Sequence, residues 1–205
     1  MSAVAGMVAA GLVVGTAGNV SVRDGDVVAV TPSGLDYDRL SPADVGLHAL
    51  DGTALDARHR PSSELPLHLA VYAATDAGAV VHTHSPAATA LTLLVDELPA
   101  VHYYVAMFGG PVRVAPYHPF GSPELAAATA EALDGRRGAL LAHHGAVTIG
   151  ADVGQALELA IVLEWLADVY LRAAAAGTPR VLPPAALAQA DAALAAYRAA
   201  RPRPE

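Results

Sequence analysis

Two histidines that are two residues apart, His82 and His84, follow the apolar run at residues 79–81. Side chains at this spacing on a strand share one face, with Cα atoms about 6.5–7 Å apart, so both imidazoles can reach one metal ion. A second pair, His143 and His144, ends another apolar run, and because adjacent strand residues face opposite ways, only one of them is expected to join the site. Three imidazoles with an open position are typical of catalytic zinc, although two histidines in a strand are as often an ordinary buried or surface pair.

Glu64 could add a carboxylate to such a site. It follows Ser62 and Ser63 at the expected start of a helix, where an acidic residue commonly complements the helix dipole. The alternative interpretation places the carboxylate beside the metal, as a ligand or as a base. The composition of this segment is compatible with both interpretations.

Three short neutral segments have the character of an anion site. The chain has a single asparagine, Asn19, and the pairs Gly18-Asn19, Ser33-Gly34 and Ser62-Ser63 all combine small residues with neutral donors. Backbone amides, hydroxyl groups and a helix N-terminus can together hold a phosphate without any lysine. A turn-forming asparagine is the simpler interpretation of Asn19, and no P-loop or dinucleotide fingerprint is present.

The elements that must position these residues alternate irregularly between strands and helices. The hydrophobic pattern predicts an N-terminal helix, strands at 19–23, 27–31, 45–50, 79–84, 112–114, 138–142 and 146–149, and helices at 62–75, 122–133, 152–176 and 184–199. Ser62 or Ser63 is expected to cap the helix at 62–75. Tight turns between strands favour a mixed, mainly antiparallel sheet with helices on both sides, and residues 1–205 are expected to form one domain.

Composition narrows the range of functions. The 205 residues carry 20 acidic and 12 basic side chains, a net charge of −8, which argues against nucleic acid or an anionic membrane as a partner. The chain has no run of about 20 apolar residues, and 54% of its residues are hydrophobic, so neither a membrane span nor disorder is predicted. The apolar residues 1–14 lack a positively charged start, so a secretory signal is disfavoured and a cytoplasmic location is expected.

Two residue types are missing. The chain contains no cysteine, which excludes disulfides, thiolate nucleophiles and cysteine-based metal sites. All 12 basic residues are arginine, so neither a lysine Schiff base nor a pyridoxal-phosphate attachment can form. An enzyme that activates a carbonyl with this set of residues would need a metal held by His, Asp or Glu.

Seven segments, taken in order and with their spacing, resemble the zinc-dependent class II aldolase and adducin-head superfamily, and most closely its members that cleave L-fuculose 1-phosphate. The segments are GTAGNVSVR at 15–23, TPSG at 31–34, SSE at 62–64, AVVHTH at 79–84, VHYY at 101–104, APY at 115–117 and HHG at 143–145. Any one of them is weak evidence, whereas the ordered set, which extends over about residues 15–175, is specific.

The resemblance implies a three-layer α/β/α domain, assembled as a homotetramer with active sites at subunit interfaces and one Zn²⁺ per subunit. The implied metal ligands are His82, His84, His144 and Glu64. The implied phosphate-binding residues are Asn19, Ser33, Gly34, Ser62 and Ser63. The implied catalytic residues are Glu64 as acid and base, Tyr103 at the aldehyde end and, as a looser match, Tyr197 reaching toward a neighbour's site.

The implied activity is that of an aldehyde-lyase that reversibly cleaves a ketose 1-phosphate to dihydroxyacetone phosphate and an aldehyde such as lactaldehyde. Glu64 would remove a C3 proton from dihydroxyacetone phosphate, and Tyr103 would protonate the new alkoxide. The alternatives are a 5-deoxyribulose- or methylthioribulose-phosphate aldolase or dehydratase, a ribulose-phosphate 4-epimerase, a non-catalytic adducin-like module, and a structural zinc domain. Glu64 favours an aldolase over the epimerases, which usually carry Asp at that position.

Overall fold

The structure, a computed structural model, describes residues 2–200 as six α-helices and a nine-stranded sheet. The strands are β1 (Asn19–Asp24), β2 (Val27–Val30), β3 (Gly46–Ala49), β4 (Ala54–Asp56), β5 (Ala79–Thr83), β6 (Glu97–Leu98), β7 (Val112–Ala115), β8 (Gly138–Leu141) and β9 (Gly145–Gly150). The helices are α1 (Ser2–Ala9), α2 (Leu65–Ala74), α3 (Pro86–Leu91), α4 (Pro123–Ala132), α5 (Val153–Ala176) and α6 (Pro184–Ala200). Met1 and residues 201–205 lie outside the described part, so the single domain over 1–205 stays a prediction.

The sheet has the order β4-β3-β2-β1-β5-β9-β8-β7-β6. Within the described residues, every neighbouring pair is antiparallel except β7 and β8, which run parallel. The expected hairpin of β1 and β2 is present, with Asp24 paired to Val27 across a two-residue turn. The prediction of a mixed, mainly antiparallel sheet is therefore confirmed.

The two central strands are buried on both faces because helices cover the sheet from both sides. In β5, Val80 packs toward α2 and α4, whereas Ala79 and Val81 pack toward α1 and α5. A strand that is covered on both sides reads as a continuous apolar run rather than an alternation, which is the pattern of residues 79–81. This arrangement gives the three layers that the sequence predicted.

The helical layers differ in size. On one face α2 and α4 pack against each other and against the sheet, with Leu67 and Leu125 in their shared core. On the other face the long helix α5 packs against α1, α3 and the middle of the sheet, and α6 packs on the short 3₁₀ segment Tyr103–Phe108. None of the helices described over residues 2–200 has both the length and the apolar composition that a membrane span requires.

The start of α2 differs from the expected serine cap. The helix begins at Leu65, and Glu64 occupies the cap position without a capping hydrogen bond from its side chain. The Ser62 hydroxyl accepts a 3.2 Å bond from the Glu64 amide, one residue before the helix begins. The reason is that the Glu64 carboxylate faces the histidine cluster described below instead of its own backbone, so the interpretation of Glu64 as an ordinary dipole-complementing acid was incomplete.

Candidate metal centre

Four side chains converge where β5 ends and β9 begins, in the middle of the sheet: Glu64, His82, His84 and His144. His82 lies in β5, His84 directly follows it, and His144 directly precedes β9, the partner strand of β5. Glu64 enters from the residue before α2. Each offers one ligand atom, and these atoms all lie within 4.8 Å of one another.

The backbone around the histidines needs small residues. A Cβ on Gly145 would collide with the carbonyl oxygen of Thr83, so only glycine lets β9 approach β5 this closely beside His144. His143 adopts φ +58°, a left-handed conformation that is uncommon outside glycine. This conformation separates the directions of the pair: His144 joins the cluster, whereas His143 faces Tyr117, with ring centroids 6.1 Å apart. One member of the pair thus lies beside the other two histidines, although the pair occupies a turn between β8 and β9 and not a strand, as the expectation had assumed.

The four ligand atoms are in direct contact. His84 Nε2 lies 3.0 Å from His82 Nε2 and 3.2 Å from His144 Nε2. The carboxylate of Glu64 bridges the other two rings, with Oε2 2.9 Å from His82 Nε2 and Oε1 3.3 Å from His144 Nε2. The three imidazoles meet edge to face, with centroids 4.6–4.8 Å apart.

Hydrogen bonding orients the His82 ring for ligation. Its Nδ1 lies 3.0 Å from the Ala146 carbonyl oxygen, an acceptor, so Nδ1 carries the proton and donates. In the neutral ring the lone pair is then on Nε2, the atom that faces the cluster. A backbone carbonyl that fixes the tautomer in this way is a common partner of metal-binding histidines.

The environment keeps the ligands in the protonation states that a cation needs. Burial, helped by His82, lowers the pKa of both His84 and His144 to about 4, so both rings are uncharged at neutral pH. Burial alone would raise the pKa of Glu64, but the charges of His82 and His144 and the hydrogen bonds from His82 and Asn19 hold it well below its usual range. His84, His144 and Glu64 therefore hold the protonation states of metal ligands at neutral pH.

This donor set fits a divalent cation. Glu64 Oε1 is buried and has no hydrogen-bond partner within residues 2–200, which is costly unless something else satisfies it. Imidazole nitrogens 3.0–3.2 Å apart also need a proton or a cation between their lone pairs. Three imidazoles and a carboxylate are among the ligands that zinc takes.

The cluster forms the floor of a cleft of about 430 Å³. All five predicted phosphate-binding residues, namely Asn19, Ser33, Gly34, Ser62 and Ser63, line this cleft together with Glu64, His84 and His144. Among the described residues that line it there is no arginine, so an anion there would be held by neutral donors and histidines. The three segments that were predicted to bind one phosphate therefore lie around one cavity.

Two segments of this neutral group are tied together by their backbones. The Ser33 N–H donates to the Arg60 carbonyl at 3.0 Å, and the Ser62 N–H donates to the Thr31 carbonyl at 3.2 Å. These two amides are therefore already engaged. A phosphate in the cleft would be bound by hydroxyl groups and by the other amides of the two segments.

The two predicted tyrosines lie elsewhere. Tyr103 is 44% exposed and stacks on His102, with centroids 4.4 Å apart, and Tyr197 is 62% exposed on α6. Neither residue is among those that line the cleft within the described part of the chain. Tyr117 and Phe120, which sequence reasoning did not assign to the site, line the cleft instead and are both exposed.

A further contact that sequence reasoning missed reaches Glu64 from the protein interior. Asn19 Nδ2 donates to Glu64 Oε2 at 3.0 Å, and Asn19 Oδ1 is hydrogen-bonded to Nε2 of the buried His68. His68 stands four residues after Glu64 and therefore one helical turn along α2. That spacing was the available signal, but the residue lies within an apolar stretch that predicts only a core position.

Comparison with known proteins gives a consistent family. The family described as "Class II Aldolase and Adducin N-terminal domain" matches residues 1–171. Among curated proteins, the chain is 42% identical over 180 residues to a 5-deoxy-D-ribulose 1-phosphate aldolase of Bacillus thuringiensis serovar kurstaki, covering 86% of this chain and 84% of that protein. It is 41% identical over 172 residues to the L-fuculose phosphate aldolase of Escherichia coli K12, covering 82% and 79%.

The fold comparison agrees with the sequence comparison. A solved L-fuculose 1-phosphate aldolase superposes with a TM-score of 0.91 at 34% identity, covering 95% of this chain and 93% of the other. The match covers the sheet and both helical layers, which confirms the predicted fold class.

Proposed function

The chain belongs to the class II aldolase and adducin N-terminal domain family, and from this membership and the geometry of the cleft we propose that it is a metal-dependent aldolase acting on a ketose 1-phosphate. The products would be dihydroxyacetone phosphate and an aldehyde. The main support is the group of Glu64 and three histidines, which opens into a cleft lined by the neutral residues that are predicted to bind phosphate. An adducin-like module or a structural zinc domain would have no need of a cleft at its metal ligands.

We assign the metal as Zn²⁺, one per subunit, held by His82, His84, His144 and Glu64. When bound there, it would supply a Lewis acid that polarises the substrate carbonyl. Neutral imidazole nitrogens suit zinc, and the lowered pKa values of His84 and His144 keep these nitrogens unprotonated at neutral pH.

The residues of the chain divide the remaining work between them. Asn19, Ser33, Gly34, Ser62 and Ser63 would bind the phosphate and so orient C3 toward Glu64. In the direction of synthesis, Glu64 takes one proton from C3 of dihydroxyacetone phosphate, and C3 then forms the new bond to the aldehyde carbon. A tyrosine hydroxyl gives a proton to the resulting alkoxide, and the proton that Glu64 removed returns to that tyrosine through water. The net change replaces the C3–H bond and the π bond of the aldehyde carbonyl with a carbon–carbon bond and an O–H bond. Cleavage is the reverse path.

Tyr103 and Tyr197 would supply that hydroxyl from a neighbouring subunit of a homotetramer. Both are exposed in the single chain and lie outside its own cleft, which is expected of groups that act across an interface. Trp165 of α5, which is 44% exposed and packs against His102 beside Tyr103, is consistent with a subunit contact there.

The sugar is proposed only as a class. L-Fuculose 1-phosphate and 5-deoxyribulose 1-phosphate are both ketose 1-phosphates, and relatives named for each have nearly equal identity to this chain. A comparison of kcat/KM for the two substrates, with the metal loaded, would separate them. A dehydratase would instead release water and leave the carbon chain intact, so product analysis distinguishes it from an aldolase.

The experiment that tests the aldolase proposal is proton exchange at C3 of dihydroxyacetone phosphate in deuterated water, followed by NMR. Glu64→Gln removes the base and is expected to slow the exchange by about 10²–10⁴-fold, the range of general-base contributions. Glu131→Gln, at an exposed position on α4, is the matched control and should exchange normally. Metal-loaded parent protein that shows neither exchange nor cleavage of any ketose 1-phosphate would contradict the proposal.

A further inference from the structure

Five buried side chains form a continuous hydrogen-bonded row between β1 and α2. Asn19 and Ser21 are two apart on the strand, and Glu64, His68 and Tyr72 are four apart along the helix and its start. The spacing is about 6.5–7 Å on the strand and about 6 Å on the helix, so the two sets interleave. The resulting order, starting at the metal centre, is Glu64, Asn19, His68, Ser21, Tyr72.

Hydrogen-bond chemistry gives this row one direction. The ionised Glu64 can only accept, so the Asn19 amide N–H donates to it at 3.0 Å, which leaves Asn19 Oδ1 as an acceptor. His68 must then donate from Nε2, so its Nδ1 accepts from the Ser21 hydroxyl at 2.6 Å. Ser21 in turn accepts from the Tyr72 hydroxyl at 2.7 Å. Every donor therefore points toward the carboxylate.

The burial of His68 makes this direction stable. The residue is 0% exposed, and burial lowers its pKa to about 3, so the ring stays neutral and carries a single N–H. A neutral ring with Ser21 on Nδ1 can offer only Nε2–H to Asn19. The Asn19 amide does not relay protons, so the row orients groups and does not conduct a proton to Glu64.

We infer that His68 is a positioning residue for the proposed aldolase reaction: by fixing the Asn19 amide, it holds Oε2 of Glu64 and leaves Oε1 as the oxygen that takes the C3 proton. Oε2 has two close partners, Asn19 Nδ2 at 3.0 Å and His82 Nε2 at 2.9 Å. Oε1 has no hydrogen-bond partner among the described residues and lies 3.3 Å from His144 Nε2, so it is the less constrained oxygen. A flipped Asn19 would turn its carbonyl oxygen toward the carboxylate, and repulsion would displace Glu64 from this orientation. This inference rests on the proposed function for its catalytic part and on the geometry alone for its effect on the metal site.

Three variants test it. His68→Phe keeps a ring of similar size but removes both hydrogen bonds. His68→Gln restores one donor for Asn19 and one acceptor for Ser21 on a side chain of similar reach. Val71→Ala, at a fully buried position of α2 outside the row, is the control for a general loss of stability. All are compared with the parent protein after circular dichroism has verified the fold.

For metal-loaded protein we expect His68→Phe to slow C3 proton exchange by about 10–100-fold, the usual range for groups that support a metal ligand. The KM for dihydroxyacetone phosphate should change by less than about threefold, because four of the five proposed phosphate-binding residues, Ser33, Gly34, Ser62 and Ser63, lie outside the row. His68→Gln should recover most of the exchange rate, and Val71→Ala should leave it unchanged. Parental exchange in His68→Phe, or equal damage in His68→Gln and His68→Phe, would overturn the inference.

A second readout does not depend on aldolase activity. Zinc affinity, measured by competition with a chromophoric chelator, should fall in His68→Phe and be retained in His68→Gln. ¹⁵N NMR of histidine-labelled parent protein should show His68 protonated on Nε2 and unprotonated on Nδ1. If the parent fails to exchange the C3 proton, the proposed function fails while these two measurements still decide the positioning role. Equal zinc affinity in all variants, or the opposite tautomer, would refute it.

Discussion

At the scale of single residues, the site is organised around Glu64, which combines roles that are separate in simpler metal centres. Its two oxygens contact His82 and His144, and one of them also accepts from Asn19. A carboxylate buried among these groups stays ionised because its partners outweigh the cost of burial. It can therefore hold a cation in the resting site and accept a proton when substrate is bound.

Among the proposed metal ligands, His82 is fully buried, and its other ring nitrogen donates to the Ala146 carbonyl oxygen. His82→Ala is expected to abolish zinc retention, because no other side chain can replace Nε2 at that point of β5. Metal content after extensive dialysis, measured by atomic emission, checks this. His118→Ala, a cleft residue outside the four-ligand group, is the control; full metal content in His82→Ala would remove His82 from the ligand set.

The buried His68 also predicts a pH dependence of stability in metal-free protein. Unfolded histidine titrates near its ordinary pKa of 6.5, whereas burial lowers the pKa of His68 in the folded protein to about 3. Below pH 6.5 the unfolded chain therefore binds more protons than the folded protein does. The free energy of unfolding then decreases as the pH is lowered, by up to about 1.4 kcal/mol per pH unit for this group.

His68→Gln removes this contribution. Urea unfolding at about pH 7 and about pH 5 should show a smaller loss of stability in the variant than in the parent, by up to about 2 kcal/mol. His84 and His144 contribute in the same direction, so the parent keeps the steeper profile and the variant keeps part of the slope. Parallel profiles for the two proteins would contradict the prediction.

At the scale of elements, one acidic side chain of α5 accepts hydrogen bonds from the N-terminus of α3. Glu164 of α5 accepts hydrogen bonds from the Ala87 and Ala88 amides, both at 2.8 Å, at the N-terminus of α3. This contact fixes the chain just after His84, so it connects the packing of α5 with the position of a metal ligand. A carboxylate at this end of a helix satisfies free N–H groups and complements the helix dipole.

Glu164→Ala is expected to lower the free energy of unfolding by about 1–3 kcal/mol, because it leaves those two amides without their acceptor. Zinc affinity should fall as well, since His84 loses its support. Glu158→Ala, at an exposed position of the same helix, is the matched control and should change neither quantity. Unfolding in urea and chelator competition measure the two effects, and an unchanged affinity would separate α3 from the metal site.

Elements that follow a local rule were predictable from the sequence. The hairpin of β1 and β2, the cap of α4 by Ser122 and the start of α5 at Asp152 each depend on a turn or a capping side chain a few residues away. The short strand β4 is exposed along its whole length, and β6 has two residues, so neither has enough hydrophobic pattern to be detected. Helix α3 was missed for a related reason, because it has six residues and depends on the distant Glu164.

The candidate site, like the fold, was predictable where local geometry determines the position of a side chain. The shared face of His82 and His84 follows from strand geometry. The expectation that only one of the second pair joins them rested on strand alternation, but His143 and His144 lie in the turn between β8 and β9, so that reason was wrong. The choice of His144 came from family resemblance, and the structure adds its physical basis in the left-handed His143. The contacts of Asn19 with Glu64 and with His68 span 45 and 49 residues of sequence, and no local pattern reports contacts between residues that are so far apart.

At the scale of the whole molecule, the proposed tetramer allows a test of whether Tyr197 acts in the cleft of a neighbouring subunit. If Tyr197 acts in the cleft of a neighbour, then Tyr197→Phe and Glu64→Gln subunits should complement each other. A mixed oligomer contains some clefts in which an intact Glu64 faces an intact Tyr197. The activity of the mixture should therefore exceed the average activity of the two variants refolded separately.

The measurement is retro-aldol turnover after the two variants are co-unfolded and refolded together, with separately refolded variants as the control. Activity equal to the average of the separate samples would mean that each cleft is complete within one subunit. Size-exclusion chromatography with light scattering verifies the oligomer in every sample.

The placement of the four ligands has one more consequence. They come from three stretches of a chain that contains no cysteine, at position 64, at 82 and 84, and at 144. An ion coordinated by all four would link regions of the chain that are as much as 80 residues apart, as a disulfide bond does in secreted proteins. Loss of the ion would then cost the fold and the chemistry together, so a subunit that cannot turn over substrate would also be the one most readily cleared by proteases.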